Sequence, residues 1–255
     1  MKLDGKIALV TGGATGIGEA TVLHLARSGV AGVVINYRSA KEQAEEVAAE
    51  VGRLGVEAMC LYADLTDDDQ VRRMMLQAGE HFGRLDVLVN NAGVTHWVPI
   101  GDLEGLSDAM WDEILDVNVK GTFRCTRAAA ALLSEAHGAV VNVSSISGVL
   151  APSTLSSIAY GTAKAALIYL TRALAVALAP NVRVNAVAPA FTDTKWMKDH
   201  FGDDYDQTIA RASANFPLGR IATTEDVAEA IASLVTGGDF VTGQTLIIDG
   251  GLSLS

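Results

Sequence analysis

The sequence predicts an α/β protein built on a parallel, doubly wound sheet with helices on both faces. Three observations carry that expectation. Short apolar runs alternate with amphipathic helical patterns along the chain. The first run, Ile7 to Val10, ends in a glycine-rich turn that opens a helix. At 255 residues and 49% hydrophobic content, the chain can bury one large core, so residues 1–255 are expected to form a single domain. Nineteen basic against thirty acidic residues give a net charge of −11, which argues against nucleic acid or an anionic membrane as partner. Cys60 and Cys125 have neither metal-ligand spacing nor a disulfide framework. The N-terminus carries charges where a signal peptide needs an apolar core, and no run approaches the ~18 apolar residues of a membrane span. A cytoplasmic protein is expected.

In chain order, Ile7 to Val10 is a strand, Thr11-Gly12-Gly13-Ala14-Thr15-Gly16-Ile17-Gly18 a turn, and Ala20, Val22, Leu23, Leu25 and Ala26 the apolar face of a helix. Glycines allow close backbone approach to a ligand, and the free N–H groups of a new helix favour a pyrophosphate. The spacing is Thr-Gly-x-x-x-Gly-x-Gly rather than the common Gly-x-Gly-x-x-Gly, and glycine-rich turns also occur without a ligand. A second strand, Gly32 to Asn36, leads to Tyr37-Arg38-Ser39, with Ser39 and Glu42 expected to box the start of a helix through Val51. At this strand end a carboxylate reads the ribose of NAD and an Arg accommodates the 2′-phosphate of NADP. Arg38 therefore points to NADP. Val56 to Leu61 is the third strand; Asp64-Leu65 follows, then a helix capped by Thr66 with Asp69 three residues on. The fourth strand, Leu85 to Val89, runs into Asn90-Asn91-Ala92-Gly93. In a doubly wound sheet, ligands bind beyond the strand ends at the switch point between the first and fourth strands, where both turns sit.

Ser107 is expected to cap a long helix to about Ser134. Within it Asn118 lies on an apolar stretch, either as a satisfied structural amide or as a water-holding or helix-kinking residue beside a site. A buried strand, Ala139 to Val143, then reaches the polar corner Ser144-Ser145-Ile146-Ser147-Gly148, a loop, and a helix to Leu178 carrying Tyr160 and Lys164. Four residues apart, those two share one helix face, and an ammonium beside a phenol lowers its pKa toward a usable proton donor and acceptor. An ordinary helix with an exposed Lys and a half-buried Tyr gives the same spacing. Thr223 and Asp226 cap a helix to Val235, and Gln244 to Ile248 is the last strand. His96 and His200 have no metal spacing, so no metal is expected.

Taken together, the turn at 11 to 18, Asn90-Asn91-Ala92-Gly93, Asn118, Asn142-Val143-Ser144-Ser145, Tyr160-x-x-x-Lys164, Asn185-Ala186-Val187-Ala188-Pro189 and Asp249-Gly250-Gly251 resemble the short-chain dehydrogenase/reductase family over nearly the whole chain. The resemblance implies a single-domain Rossmann fold with a seven-stranded sheet and a catalytic set of Asn118, Ser145, Tyr160 and Lys164. Tyr160 would be the acid in carbonyl reduction and the base in alcohol oxidation; Lys164 would lower its pKa and bind the nicotinamide ribose. Ser145 would bind the substrate oxygen, and Asn118 would hold a water linking Lys164 to solvent. The implied cofactor contacts begin at the turn with Gly12, Thr15, Gly16, Ile17 and Gly18. They continue through Tyr37, Arg38, Ser39, Asp64 and Leu65 to Asn91, Ala92 and Gly93, and end with Tyr160, Lys164, Pro189, Thr192 and Thr194.

Three departures from the family pattern stand out. Ser145 precedes Tyr160 by fifteen residues instead of thirteen, which makes Ser147 a rival and suggests two extra residues in the Leu150 to Ile158 loop. Pro189-Ala190 replaces the usual Pro-Gly, and a Cβ there is expected to narrow the cleft or change the loop's path. Thr15 stands where NADP-preferring members often carry a base, leaving the 2′-phosphate to Arg38 and Ser39. The substrate pocket is expected from His96, Trp97, Val149, Leu150 and a lid-like segment at about 190–222 that includes Trp196, Met197, Phe201 and Phe216. By the same resemblance, the last helix and strand would form a face of a homodimer or homotetramer. The leading reading is an NADP-dependent carbonyl reductase or alcohol dehydrogenase acting on a small molecule. A 3-oxoacyl-carrier-protein reductase is the alternative, disfavoured by the absence of a base in Ser134-Glu135-Ala136-His137 and at Val176. A non-catalytic NADP-binding regulator is the reading from another class, and such relatives typically lose the tyrosine or lysine that this chain keeps.

Overall fold

The computed structural model describes residues 1–150 and 157–254. The first strand β1 (Ile7–Val10) feeds helix α1 (Gly16–Arg27), followed by β2 (Gly32–Tyr37), α2 (Lys41–Arg53), β3 (Glu57–Tyr62), α3 (Asp68–Phe82) and β4 (Val87–Asn90). Next come α4 (Asp108–Leu115), a π-helical turn (Asp116–Gly121), α5 (Thr122–Ala136), β5 (Ala139–Val143), α6 (Ile158–Leu178) and β6 (Arg183–Pro189). The chain ends through α7 (Lys195–Phe201), α8 (Tyr205–Ser213), α9 (Thr224–Thr236) and β7 (Thr245–Ile248). The seven strands form one parallel sheet in the order β3-β2-β1-β4-β5-β6-β7. The reversal of order lies between β1 and β4, as expected.

Alternation along each strand divides the core between the two faces. Ala8, Val10, Val33, Ile35, Val87 and Val89 pack toward α1, α2 and α9. Ile7, Leu9, Val34, Leu88 and Val140 pack toward α3, α5 and α6. A smaller cluster of Ile114, Ala159 and Ala163 joins α4 to α6 beside Val94, so the helix carrying Tyr160 is fixed from its outer side. α6 is long and apolar enough, by length and composition, to cross a membrane, contrary to the expectation that no segment would be. Here one face of it packs against β6 and α4.

Two expected caps are displaced by one residue or more. β2 stays paired with β3 through Tyr37↔Tyr62, so α2 starts late and follows Ala40 without a side-chain cap from Ser39. Thr66 is drawn back by the Asp64 carboxylate, which accepts from its N–H at 2.9 Å and its hydroxyl at 2.8 Å, and Asp67 caps α3 instead. Ser107 does cap α4, and the Thr223–Asp226 capping box of α9 is present in both directions. The segment at 190–222 is largely helical rather than an open loop. Thr194 caps α7, and a Lys195–Asp199 pair of 2.8 Å supports it. The expected insertion between Leu150 and Ile158 lies largely outside the described residues.

Asp86 stands at the foot of β4, just before Val87. Its carboxylate is fully buried and accepts from the Ile7 N–H at 3.0 Å, from Arg84 at 2.8 and 2.6 Å, and from Lys6 at 3.0 Å. Burial alone would raise its pKa, but these partners together hold it below the usual carboxylate value. Asp86→Ala leaves the Ile7 amide and two cations without their acceptor, and is expected to cost ~2–4 kcal/mol in a urea melt at pH 7. Because the folded pKa is depressed, the contribution is complete above the unfolded value of ~3.9 and is lost as pH falls below it. The gap between the melts should therefore close only in acid. A gap that is already closed at pH 6 contradicts this account.

Candidate functional site

At the carboxyl ends of β1 and β4, Thr11 joins the two turns. Its hydroxyl accepts the N–H groups of Asn91 at 2.9 Å and Ala92 at 3.1 Å. Asn91 returns its amide to the carbonyls of Thr11 at 3.0 Å and Gly12 at 3.1 Å. Asn36, absent from the expected site residues, secures the same turn from β2. Its Oδ1 accepts from Gly12 N–H at 3.2 Å, while its Nδ2 donates to Ala63 at 3.2 Å. A buried Asn closing the apolar run Gly32 to Ile35 was the available signal.

Gly18 shows why the spacing takes this form. A Cβ there would stand 2.1 Å from the Gly12 carbonyl oxygen and 2.6 Å from Asn91 Nδ2. Gly16, at φ +58, needs the left-handed backbone that β-carbons disfavour. Thr15 precedes α1 in an extended conformation without capping it through its side chain. The first N–H groups of this twelve-residue helix thus border the cavity, an environment that suits a pyrophosphate.

A cavity of about 730 Å³ runs from that turn to Tyr160. Its wall includes Gly12, Thr15, Gly16, Ile17, Tyr37, Arg38, Ser39, Asp64, Leu65, Asn91, Ala92 and Gly93 at one end. Ser145, Tyr160, Lys164, Pro189, Thr192 and Thr194 line the other. Arg38 stands at the mouth, about half exposed, 4.0 Å from Asp64. Gly18 and Asn118 lie behind the wall rather than on it. The residues at this cavity fit a nicotinamide dinucleotide, with a glycine cradle and helix start for the pyrophosphate and Arg38 at the ribose end of β2.

The catalytic end is built by β5, the π-helical turn and α6. Ser157 caps α6 through the Tyr160 N–H at 3.3 Å. Lys164 is almost wholly buried and donates from Nζ to the Val143 carbonyl at 2.8 Å. Its nitrogen sits 5.4 Å from the centre of the Tyr160 ring. The lysine therefore approaches the face of the ring, and the expected lowering of the phenol pKa is not found. Tyr160 keeps an edge on the cavity but is densely surrounded, and burial pushes its hydroxyl up to about 12, against a hydrogen bond with Ser145 that pulls it down. Burial likewise brings Lys164 down to about 8. Ser145 Oγ also accepts the N–H of Ser147 at 3.1 Å. Ser147 shares the cavity wall.

Asn118 occupies the π-helical turn, a local irregularity frequent at functional sites. Its side chain is a satisfied amide: Oδ1 accepts Val94 N–H at 3.0 Å and Nδ2 donates to Val94 O at 2.8 Å, clamping the loop after β4. Its own carbonyl accepts from Thr122 Oγ1 at 3.0 Å. Of the expected substrate residues, Trp97, Leu150, Trp196, Met197 and Phe216 line the cavity. Phe201 lies behind Trp97, His96 pairs with Glu113 at 2.8 Å, and Val149 borders a separate groove between α6 and β7. Ala190 lines the cavity without a left-handed backbone, so its Cβ is accommodated by the path of the loop.

A family model described as enoyl-(acyl carrier protein) reductase matches residues 12–253. The chain is 36% identical over 250 residues to a 3-oxoacyl-[acyl-carrier-protein] reductase from Staphylococcus aureus, covering 97% of this chain and 98% of that protein. It is 40% identical over 249 residues to cis-4-hydroxycyclohexanecarboxylate dehydrogenase from Sinomonas cyclohexanicum, covering 96% of each. Among solved structures, a short-chain type dehydrogenase/reductase from Mycobacterium marinum superposes with a TM-score of 0.89 at 31% identity, covering 100% of this chain and 98% of that one.

Proposed function

The chain belongs to the short-chain dehydrogenase/reductase family and is an oxidoreductase that uses a nicotinamide cofactor. From that premise we propose that it reduces a ketone to a secondary alcohol, or the reverse, with NADP preferred to NAD and Tyr160 as proton donor. The observation that carries this reading is the meeting of Ser145, Tyr160 and Lys164 in the same cavity as the glycine turn. When bound, the cofactor supplies the hydride that forms the new C–H bond. Tyr160 gives its proton to the carbonyl oxygen as the C=O π bond breaks, and Ser145 directs its hydroxyl at the oxygen where negative charge develops. Lys164, its ammonium held by the Val143 carbonyl, would bind the nicotinamide ribose hydroxyls and place a positive charge at the site. Ser145 is preferred to Ser147 because it is the serine whose hydroxyl pulls the Tyr160 pKa down. The Asn118 side chain is committed to Val94, so any water it holds belongs to its main chain in the π-helical turn.

Arg38 and Ser39 at the mouth support NADP. Titration with NADPH and NADH tests this directly: tighter NADPH binding that Arg38→Glu abolishes supports the preference, and equal affinities oppose it. Turnover assayed against ketones and β-ketoacyl thioesters tests the reaction itself. The protein is placed in the cytoplasm as a homodimer or homotetramer; exposed Tyr169 and Val176 on α6 and Leu246 and Ile247 on β7 offer apolar surface to like copies, whose number light scattering measures.

The proton states give a pH dependence. Lys164 carries its charge below about 8 and loses it above. Tyr160, at about 12, keeps its proton throughout that range. The kcat/KM for reduction is therefore expected to be level up to about pH 8 and to fall beyond it. A profile that climbs from pH 8 to 10 contradicts these assignments.

A further inference from the structure

The wall of the cavity beside Tyr160 is aromatic, and its rings come from two distant parts of the chain. Trp196, on α7, has its ring centre 6.2 Å from that of Tyr160 and 5.3 Å from that of Trp97, which lies on the loop after β4. Trp97 is stacked on His200 at 3.9 Å with only 10° between the planes. Phe201 packs on the edge of His200 at 4.7 Å. α7 thus presents one indole beside the reacting hydroxyl and uses its last turn to brace a second. Trp196 nevertheless remains 44% exposed, a large apolar surface facing the cavity with Met197 and Phe216 nearby.

The charges that α7 brings to the cavity wall, Lys195 and Asp199, neutralise each other. Lys195 is paired with Asp199, and Lys198 with Asp193, each at 2.8 Å. Arg183 is turned inward to the carbonyls of Leu234 and Val235 at 2.9 and 2.8 Å. Arg172 borders the separate groove between α6 and β7. A rigid ring gains offset or edge contact with an indole at little conformational cost, whereas a flexible acyl chain loses rotamer freedom for the same area.

We infer that the substrate bears its reacting carbonyl on a six-membered carbocycle, or one fused to an aromatic ring, and that Trp196 is the platform on which this ring lies. The inference rests on the carbonyl-reductase reading above and narrows its substrate class. The test compares 2-tetralone with the carbon-matched chain ketone 2-decanone and with an acetoacetyl thioester of N-acetylcysteamine. The wild type, Trp196→Ala, Trp196→Phe and Tyr160→Phe are each assayed with NADPH and with NADH. The wild-type kcat/KM is expected to favour the tetralone by ~10-fold or more, with that ratio collapsing toward unity in W196A and largely restored in W196F. A wild-type preference for the chain ketone or thioester, or a ratio that W196A leaves unchanged, overturns the ring assignment while Tyr160-dependent reduction stands. Absence of Tyr160-dependent turnover on every compound overturns the reductase reading and the inference with it.

Discussion

Tyr160→Phe is expected to lower kcat for ketone reduction by ~10³-fold while leaving NAD(P)H bound. The substitution keeps the ring, and so the packing of α6 and the approach of Lys164 to its face at 5.4 Å. It removes the hydroxyl whose pKa Ser145 pulls down, on the wall that both residues share. Burial makes Tyr160 a weak acid, with its pKa pushed up to about 12, so the proton is retained until the alkoxide forming on the substrate draws it off. Single-turnover absorbance at 340 nm separates this step from binding, and fluorescence titration confirms occupancy. A loss of less than tenfold would place the proton donor elsewhere.

Gly18→Ala is expected to weaken NAD(P)H binding by ~30- to 100-fold, the equivalent of ~2–3 kcal/mol of forced displacement. The added methyl meets the Gly12 carbonyl at 2.1 Å, so either that carbonyl or the start of α1 must move, and both belong to the phosphate cradle. Gly52→Ala is the matched control, because a Cβ at that helical position meets nothing within 4 Å. It should leave binding unchanged and stabilise α2 by up to ~1 kcal/mol. Binding in Gly18→Ala within threefold of wild type would show that the turn has slack which these distances exclude.

What was legible in the sequence was whatever a single segment imposes on itself. The glycine turn could be read because its spacing answers to backbone crowding between Gly12 and Gly18, and the Tyr160–Lys164 pair because helical geometry alone brings those positions together. The Thr223–Asp226 box is equally local, and it formed as expected. Features decided by a competing partner were not legible. Thr66 lost its cap to Asp67 because Asp64 held it back, and Ser39 lost its role because β2 stayed paired through Tyr37. The Lys164 ammonium was expected at the phenol and was found on the Val143 carbonyl, an acceptor set by the register of β5 against α6. Asp86 and its three partners, and the stack of Trp97 on His200, exist only once strands and loops distant in sequence are assembled.

The most direct test of the central claim follows the hydride itself. The protein is incubated with NADPH or NADH deuterated at C4 of the nicotinamide, each diastereomer in turn, together with ring and chain ketones. The alcohols are then analysed by mass spectrometry. The account predicts one deuterium on the carbinol carbon from a single diastereomer, with the yield abolished in Tyr160→Phe. Alcohol formed without label from both diastereomers, or labelled alcohol formed equally well by Tyr160→Phe, would contradict it.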